Sequence, residues 1–408
     1  MKILILTPQL PYPPQQGTSL RNYHIIRGLA ADHEITLLSF LENNQQDDVQ
    51  SIGPLLDLCT GVYTIPVPTR TTKKRLYQLI TTRRPDMEHR LESTHFNIKL
   101  KQLLVAAQYD IVQVEGVELA RTIDIIRLVS PFSRIVFDDH NAETELQRRA
   151  LQADRGNPRR WAAAGYSRVQ VARLARFEAW ACGAADWVTA VSEQDKRSLT
   201  QLIPDLQTPI TVIPNCIDVK QYQPPDAAAF DFDLVFSGKM DYRPNVDAVL
   251  WFAEYVWPLI VKERPLTTWA IVGQKPHARL GRLERLSGVT VTGWVESVQP
   301  YLAGAKVYIM PFRVGSGTRL KLIEAMAAGK AIVSTPMGAE GFSVADQREL
   351  WLAVTPAEMA TAVNQLLSDP EKRKRLGKNA QALADQYDWR RVIPKFESIY
   401  QHLKEAAA

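Results

Sequence analysis

Residues 306–342 read KVYIMPFRVGSGTRLKLIEAMAAGKAIVSTPMGAEGF. A short apolar run, Val307 to Met310, is closed by Pro311, and a glycine turn follows with Gly315 and Gly317 flanking Ser316. From Thr318 to Ala328 the apolar residues Leu320, Ile323, Met326 and Ala327 recur at helical spacing, Gly329 stops the helix, and Ala331 to Ser334 starts another apolar run. This order predicts a strand, a turn, a helix and a parallel strand, a unit that folds only as part of a larger α/β sheet. Its turn lies at a helix N-terminus, where free N–H groups and the helix dipole favour an anion. Lys321 and Glu324 lie three residues apart and share one helix face.

The rest of the chain repeats that alternation. Apolar runs at Lys2–Thr7, Glu34–Phe40, Val62–Val67, Asp110–Glu115, Arg134–Phe137, Trp187–Val191 and Ile210–Ile213 are separated by helical patterns, starting with Thr18–Ala31. Pro214, Pro224, Pro225 and the run Ala227–Ala229 break the series. A second series has strands at Leu234–Ser237, Thr268–Val272, Val289–Thr292 and Val307–Met310, with helices at Asn245–Val261 and from Pro276. Two helices follow in Ala357–Asp385 and one from Arg390. The expectation is an α/β protein of two doubly wound domains: residues 1–215, a linker 216–231, residues 232–385, and a C-terminal helix 386–408. At 408 residues the chain is too long for one ordinary core, which agrees. Ligands of such sheets sit beyond the carboxyl ends of the strands, and two sheets that face each other would share a cleft.

Hydrophobic content of 46% and charged content of 23% are those of a globular protein in water. The net charge of +5 does not imply nucleic-acid binding. Positive charge is concentrated, with eight arginines against Asp154 in 148–176, and seven Lys or Arg against Asp86 and Glu88 in 70–90. Such faces suit an anionic membrane surface or an acceptor phosphate, or are simply solvated. Cys59, Cys182 and Cys216 are widely spaced, without a metal or disulfide pattern, as expected of a reducing cytosol. MKILILTP is too short for a secretory leader, and no apolar run approaches the length of a membrane span.

The residues after each strand hold the candidate chemistry. Phosphate could be met by the turn Gly315, Ser316, Gly317 and Thr318, by Gly238, Lys239, Arg243 and Lys321, and by the loop at Gly17. Together these point to a nucleotide diphosphate, as a nucleotide sugar, held without a metal or other cofactor. Glu324, polar on an otherwise apolar helix, could accept both hydroxyls of a ribose, or could simply answer the helix dipole. His140 ends a polar cluster with Asp138, Asp139 and Asn141; it could bind a sugar hydroxyl, assist proton transfer, or cap the next helix. Asn141, Ser192 and Asn215 are residue types that commonly occupy caps and turns. No GxGxxG with a downstream acid follows the first strand, which disfavours a nicotinamide dehydrogenase.

The series GSGTRLKLIEAMAAGKAIVST, VTAVSE, VIPNCID, FSGKM and GWVESVQPYL resembles the GT-B-fold retaining glycosyltransferases called glycosyltransferase family four, across essentially the whole chain. The first loop PQLPYPPQQG, FDDHNAE and GKMDYRPNVDAV further resemble sugar transferases of bacterial exopolysaccharide clusters, including those tied to the PEP-CTERM/exosortase system. The resemblance implies two facing Rossmann-like domains, with a nucleotide-sugar donor on the second and a glycan or lipid-linked acceptor on the first. It further implies a cytoplasmic protein, peripheral at the inner membrane face, and no nucleic-acid partner. Glu324 matches the second carboxylate of the family's paired-glutamate motif, while Ser316 stands where the first should be. Lys239 fills the place of the family's arginine, and Asn245 that of its lysine six residues on, so Arg243 or Lys321 is expected to supply the missing cation. His140 matches the region of a substrate-proximal histidine, and Gly293 to Val295 fall where the family holds the nucleobase. His140 and Lys239 are the implied catalytic residues. The alternatives are a GT-B-fold sugar-nucleotide epimerase, which needs no acceptor, and a donor-binding subunit without turnover, suggested by Ser316 and Asn245.

Overall fold

The computed structural model describes residues 1–14, 17–42, 52–155, 161–223, 230–315 and 317–406. The chain divides into two compact units, Met1–Asn215 with Val392–Ala408, and Cys216–Arg391.

The first unit runs β1 (Lys2–Thr7), α1 (Gly17–Leu29), β2 (Glu34–Leu41), α2 (Gly53–Leu58), β3 (Gly61–Pro66), α3 (Thr72–Thr81), α4 (Asp86–Arg90) and α5 (Thr94–Ala106). It continues with β4 (Ile111–Glu115), α6 (Thr122–Val129), β5 (Arg134–Asp139), α7 (Glu143–Arg155), α8 (Trp161–Ala184), β6 (Trp187–Ala190), α9 (Glu193–Leu202) and β7 (Ile210–Val212). Its strands form one parallel sheet in the order β3-β2-β1-β4-β5-β6-β7. Ile3 to Leu6 are buried on both faces, as a central parallel strand covered by helices requires. Leu4, Leu38, Phe40, Phe96, Val112, Ile135 and Phe137 fill the core, with Phe40 and Phe96 stacked 4.4 Å apart.

The second unit runs β8 (Phe232–Ser237), α10 (Arg243–Trp251), α11 (Trp257–Glu263), β9 (Trp269–Val272), β10 (Val289–Gly293), α12 (Gln299–Ala303), β11 (Ala305–Met310) and α13 (Leu320–Ala327). Then come β12 (Ala331–Ser334), β13 (Trp351–Leu352), α14 (Pro356–Ser368), α15 (Pro370–Ala384) and α16 (Trp389–Glu405). The strands, again parallel, are ordered β10-β9-β8-β11-β12-β13. Each sheet therefore reverses direction beside its first strand, at β1/β4 and at β8/β11, the switch points where doubly wound sheets take ligands.

Several details depart from the sequence reading. The helix expected over Asn245–Val261 is interrupted by a π turn at Phe252–Val256, followed by Pro258, which has no N–H to continue the ladder. The helix expected from Pro276 is a 3₁₀ segment, Ala278–Arg285. The strand expected to end at Phe137 carries Asp138 and Asp139 as well. Residues 216–223, read as the start of a linker, fold within the second unit: Ile217 bridges Asp388, and Asp218 pairs with Arg390 at 3.1 Å. Residues 224–229 lie outside the described residues. From Val392, α16 belongs to the first unit, where Tyr400 donates its hydroxyl to Gln113 Oε1 and His402 meets Trp187 edge-on at 5.3 Å.

Candidate active site

At the second unit's switch point, β8 ends in Ser237 and turns at Gly238. Lys321, in the first turn of α13, reaches back and donates its ammonium to Ser237 O and to Asn245 Oδ1, both at 2.8 Å. Asn245 is itself fixed, because its amide donates to Lys239 O at 2.8 Å. A Cβ on Gly238 would collide with Lys321 Nζ and Asn245 Nδ2, so only glycine leaves room for the ammonium there. The aromatic rings of Phe236 and Phe312 lie 4.9 and 5.1 Å below it. Burial lowers the Lys321 pKa to about 7, aided by Arg319 and opposed by Glu324. The sequence left Arg243 or Lys321 to replace the missing lysine; Lys321 stands directly on Asn245, while Arg243 is exposed at the start of α10.

The glycine turn closes on the same place. A Cβ on Gly315 would meet Arg319 Nη2 at 3.0 Å and Pro244 at 3.6 Å. Arg319 in turn donates to Gly317 O at 3.4 Å and Met337 O at 2.6 Å, and lies over Phe312 at 4.7 Å. Gly317 and Thr318 are partly exposed, and Ser316 lies outside the described residues. Lys239, half-buried, follows Gly238 directly. Glu324 lies one turn along α13, where Tyr222 donates its hydroxyl to Oε1 at 3.1 Å. Burial raises the Glu324 pKa, against the pull of Tyr222 and Lys321. Gly293 ends β10, at the sheet edge, and Val295 lies two residues beyond it. They are tied to Gly238 through Gly273, whose N–H donates to Thr292 Oγ1 at 3.3 Å and which packs against Gly238 O too closely to accept a side chain.

The first unit builds its switch point differently. His140 Nε2 hydrogen-bonds Glu115 Oε2 at 2.6 Å, joining the ends of β4 and β5. Asp138, its neighbour on the strand, is gripped by Arg21 of α1 through two bonds of 2.9 and 3.0 Å, and accepts Thr189 Oγ1 at 2.6 Å. Arg21 also donates to Ile213 O at 3.1 Å, Pro214 O at 3.0 Å and Asn215 Oδ1 at 3.4 Å. Gln113 donates to the other oxygen of Glu115. Burial and the nearby Asp138 push Glu115 up to about 7, while Arg21 holds Asp138 low despite its burial. Burial opposes a charged His140, but Glu115 and Asp138 outweigh it and raise the ring's pKa. The imidazole stays 15% exposed, enough to present one edge to a substrate hydroxyl. Gly17 begins α1 and is exposed.

Glu115, Asp138 and His140 each bring a ligand atom within 4.8 Å of the others. Both oxygens of Asp138 are already occupied, and the Arg21 guanidinium supplies the positive charge, so a divalent ion does not fit this set unless the buried arginine leaves. Asp139 points to the opposite face, as alternation along a strand requires. There burial and the carboxylates of Glu178, Glu143 and Asp195 raise its pKa, and among the described residues neither of its oxygens has a hydrogen-bond partner. Burial also pushes Glu143 up to about 8 and Glu178 to about 7. Ser192 caps α9 by accepting Asp195 N–H, the ordinary role of its type. Arg21, Glu115 and Tyr222 carry more of these sites than their sequence surroundings indicate. Arg21 shares the buried side of α1 with Ser19, Asn22 and His24 as well as Ile25, Ile26 and Leu29, so its sequence surroundings do not single it out.

Two family models match this chain: residues 16–221 match the one described as Glycosyltransferase Family 4, and residues 231–369 the one described as Glycosyl transferases group 1. Over 178 residues the chain is 23% identical to an uncharacterised protein in the cps region of Klebsiella pneumoniae, covering 41% of this chain and 45% of that protein. Over 110 residues it is 32% identical to the MMP α-(1→4)-mannosyltransferase of Mycolicibacterium hassiacum, 26% of each chain. The matched stretches thus span less than half the length of these curated relatives. Among solved structures, the sucrose-phosphate synthase of Thermosynechococcus elongatus superposes with a TM-score of 0.72 at 18% identity, covering 100% of both chains. Anabaena HepE in complex with UDP and glucose does so at 0.66 and 16% identity, covering 98% of this chain and 100% of that one. What is shared with these structures is the fold, the GT-B pair of Rossmann-like domains.

Proposed function

Because the chain belongs to glycosyltransferase family 4, we propose that it moves a sugar from a nucleotide-diphosphate sugar to a glycan or lipid-linked acceptor. The observation that carries this reading is the Lys321 ammonium, held at the β8/β11 switch point by two neutral acceptors beside a glycine turn. An enclosed cation without a carboxylate in its hydrogen bonds is poised for an anion from outside. The HepE complexes with UDP and UDP-glucose, and the mannosyltransferase among the relatives, support a sugar nucleotide as that anion. The cps region of the Klebsiella relative supports a role in bacterial exopolysaccharide or cell-surface polysaccharide synthesis.

In this reading Lys321, Lys239, Arg243 and the N–H groups of Gly315–Thr318 hold the diphosphate, Glu324 takes the ribose hydroxyls with Tyr222 behind it, and the backbone at Gly293–Val295 meets the base. The bond from the sugar's anomeric carbon to the diphosphate breaks and a bond to the acceptor oxygen forms on the same face, with retention. The acceptor proton passes to the departing phosphate oxygen. The cations stabilise the charge developing on that phosphate, so no metal is required. His140, oriented by Glu115, binds a sugar hydroxyl from the first unit, which also holds the acceptor. The protein works at the cytoplasmic side, peripheral to an anionic membrane; no helix of the described residues is long and apolar enough to cross one.

The test is nucleoside diphosphate release from a panel of sugar nucleotides with lipid-linked acceptor, for wild type and Glu324→Ala. The reading expects release from one donor, and a large loss in the variant. Equal turnover and equal nucleotide affinity in both would remove Glu324 from the site. Calorimetric donor binding without transfer to any acceptor would replace the transferase with a binding subunit.

A further inference from the structure

We propose that α3 of the first unit is a membrane-docking helix whose outer face enters the headgroup region of an anionic bilayer. The helix, TKKRLYQLIT, is turned inside out relative to an ordinary surface helix. Its one buried residue is Gln78, which faces the protein and accepts from Arg70 at 3.3 Å. Three of its large apolar residues face water instead: Leu76 is 59% exposed, Tyr77 68% and Ile80 77%, while Leu79 is half-buried. Leu76 and Ile80 are one turn apart, as are Lys73 and Tyr77, so all four fall on a single outward face.

Polar contacts hold the inner side of α3. Arg75 binds Asp86 at 3.2 Å, and Arg173 from α8 donates to Leu79 O at 3.0 Å. Nothing in that arrangement requires apolar residues outside, and a contiguous exposed apolar face marks an interaction surface. The charges around it identify the partner. Residues 67–85 contain no acid, and Lys73, Lys74 and Arg83 are exposed on or beside the face. The acids nearby are paired with arginines: Asp86 with Arg70 at 2.7 Å, Glu88 with Arg84 at 2.5 Å and Arg121 at 2.8 Å, Glu92 with Arg84 at 2.8 Å. An apolar face with a rim of lysines is the pattern of an interfacial helix on acidic lipid, with the lysine stems lying along the apolar surface and the ammonium groups among the headgroups. The second arginine run, by contrast, is partly used internally: Arg148 and Arg149 pair with Glu145, and Arg173 braces α3. The proposal gives the membrane association a location, and it stands independently of the transfer chemistry.

The test is co-sedimentation of the whole protein with vesicles of phosphatidylcholine alone and of phosphatidylcholine mixed with phosphatidylglycerol, without donor or acceptor. Wild type is expected to sediment with the mixed vesicles. Leu76→Asp/Ile80→Asp is expected to lower the partition coefficient by at least about tenfold, and Lys73→Glu/Lys74→Glu to remove its salt-sensitive part. Leu76→Ser/Ile80→Ser repeats the test without adding negative charge should the aspartates disturb folding, which circular dichroism reads. Arg148→Glu/Arg168→Glu, on the other basic run, is expected to bind like wild type. The proposal is overturned if wild type ignores anionic vesicles, if the α3 variants bind unchanged, if the Arg148/Arg168 variant alone loses binding, or if the face instead joins two copies of the chain by sedimentation velocity.

Discussion

The two switch points have the same strand order and opposite electrostatics. At β1/β4, charges meet charges: Arg21 against Asp138, His140 against Glu115, each within 3.0 Å. At β8/β11, the Lys321 ammonium meets a carbonyl and a carboxamide, and the carboxylate of Glu324 is committed to Tyr222. The first network neutralises itself and offers neutral hydroxyl groups a fixed hydrogen-bonding edge. The second keeps a positive charge in reserve. In the proposed function, one sheet architecture used twice would serve two kinds of ligand through side chains added at its carboxyl edge, not through the strands themselves.

The sharpest break of this comparison is Arg21→Met. It leaves Asp138 buried and unpaired and strips three backbone or side-chain acceptors of their donor, so it should destabilise the first unit by about 3–5 kcal/mol. Denaturant unfolding followed by circular dichroism checks it. If instead the loss is below about 1 kcal/mol, the network is not the self-neutralising one described. The companion change Asp138→Asn with Arg21→Met should recover part of the loss, since the unpaired charge goes too.

This arginine also shows where sequence reading stops. The alternation of apolar runs and helical spacings is local information, and it placed β1 at Lys2–Thr7 with the bounds observed. The pairing of Arg21 with Asp138 spans 117 positions and that of Tyr222 with Glu324 spans 102, and a single sequence carries no record of such partners. Tyr222 was hidden further because the prolines after it read as a linker. Lys321 was legible as a cation near the glycine turn, but only the fold shows that it stands on Asn245. α3 shows another limit: its sequence is legible as a basic run, but only the structure shows that Leu76, Tyr77 and Ile80 face outward.

At the second switch point, Lys321→Met should lower transfer by about 10²–10³-fold, the usual cost of removing one donor to a developing anion. Affinity for the nucleoside diphosphate should fall while affinity for the nucleoside stays, as calorimetry can separate. Lys321→Met/Asn245→Lys returns an ammonium from the other side and should restore part of the loss; failure to do so would place the phosphate elsewhere. The pH dependence sharpens this. With a pKa near 7 in the free protein, Lys321 is neutral above that pH, and an incoming diphosphate raises its pKa. Binding should then take up a proton above about pH 7, and affinity should weaken by up to about tenfold per pH unit until the bound-state pKa is reached. Calorimetry in buffers of different ionisation enthalpy measures the uptake.

Asp139→Asn tests the other face of β5. The folded pKa of Asp139 is raised, as are those of Glu143 and Glu178, to about 8 and about 7. Between the usual carboxyl range and those values, the folded state keeps protons that the unfolded state has lost, so stability falls as pH rises through that window. Removing Asp139's share should stabilise the protein by about 1–3 kcal/mol at about pH 8 and by less at about pH 5. A gain that is equal at both values, read from melting curves, would show that Asp139 does not hold a proton in the folded state.

Tyr222→Phe carries the smallest expected effect. It removes one hydrogen bond to Glu324 and leaves the ring in place, a cost of about 1 kcal/mol in stability. The consequence for binding has a definite sign. Tyr222 fixes the carboxylate and, with Lys321, favours its ionised form against burial, so without the hydroxyl the Glu324 pKa rises further. A protonated glutamate accepts ribose hydroxyls less well, so KM for the donor should rise while kcat changes little, and the difference should shrink as pH rises and the carboxylate ionises. A change in kcat alone would instead connect Tyr222 to the transfer step and make Glu324 more than a ribose anchor.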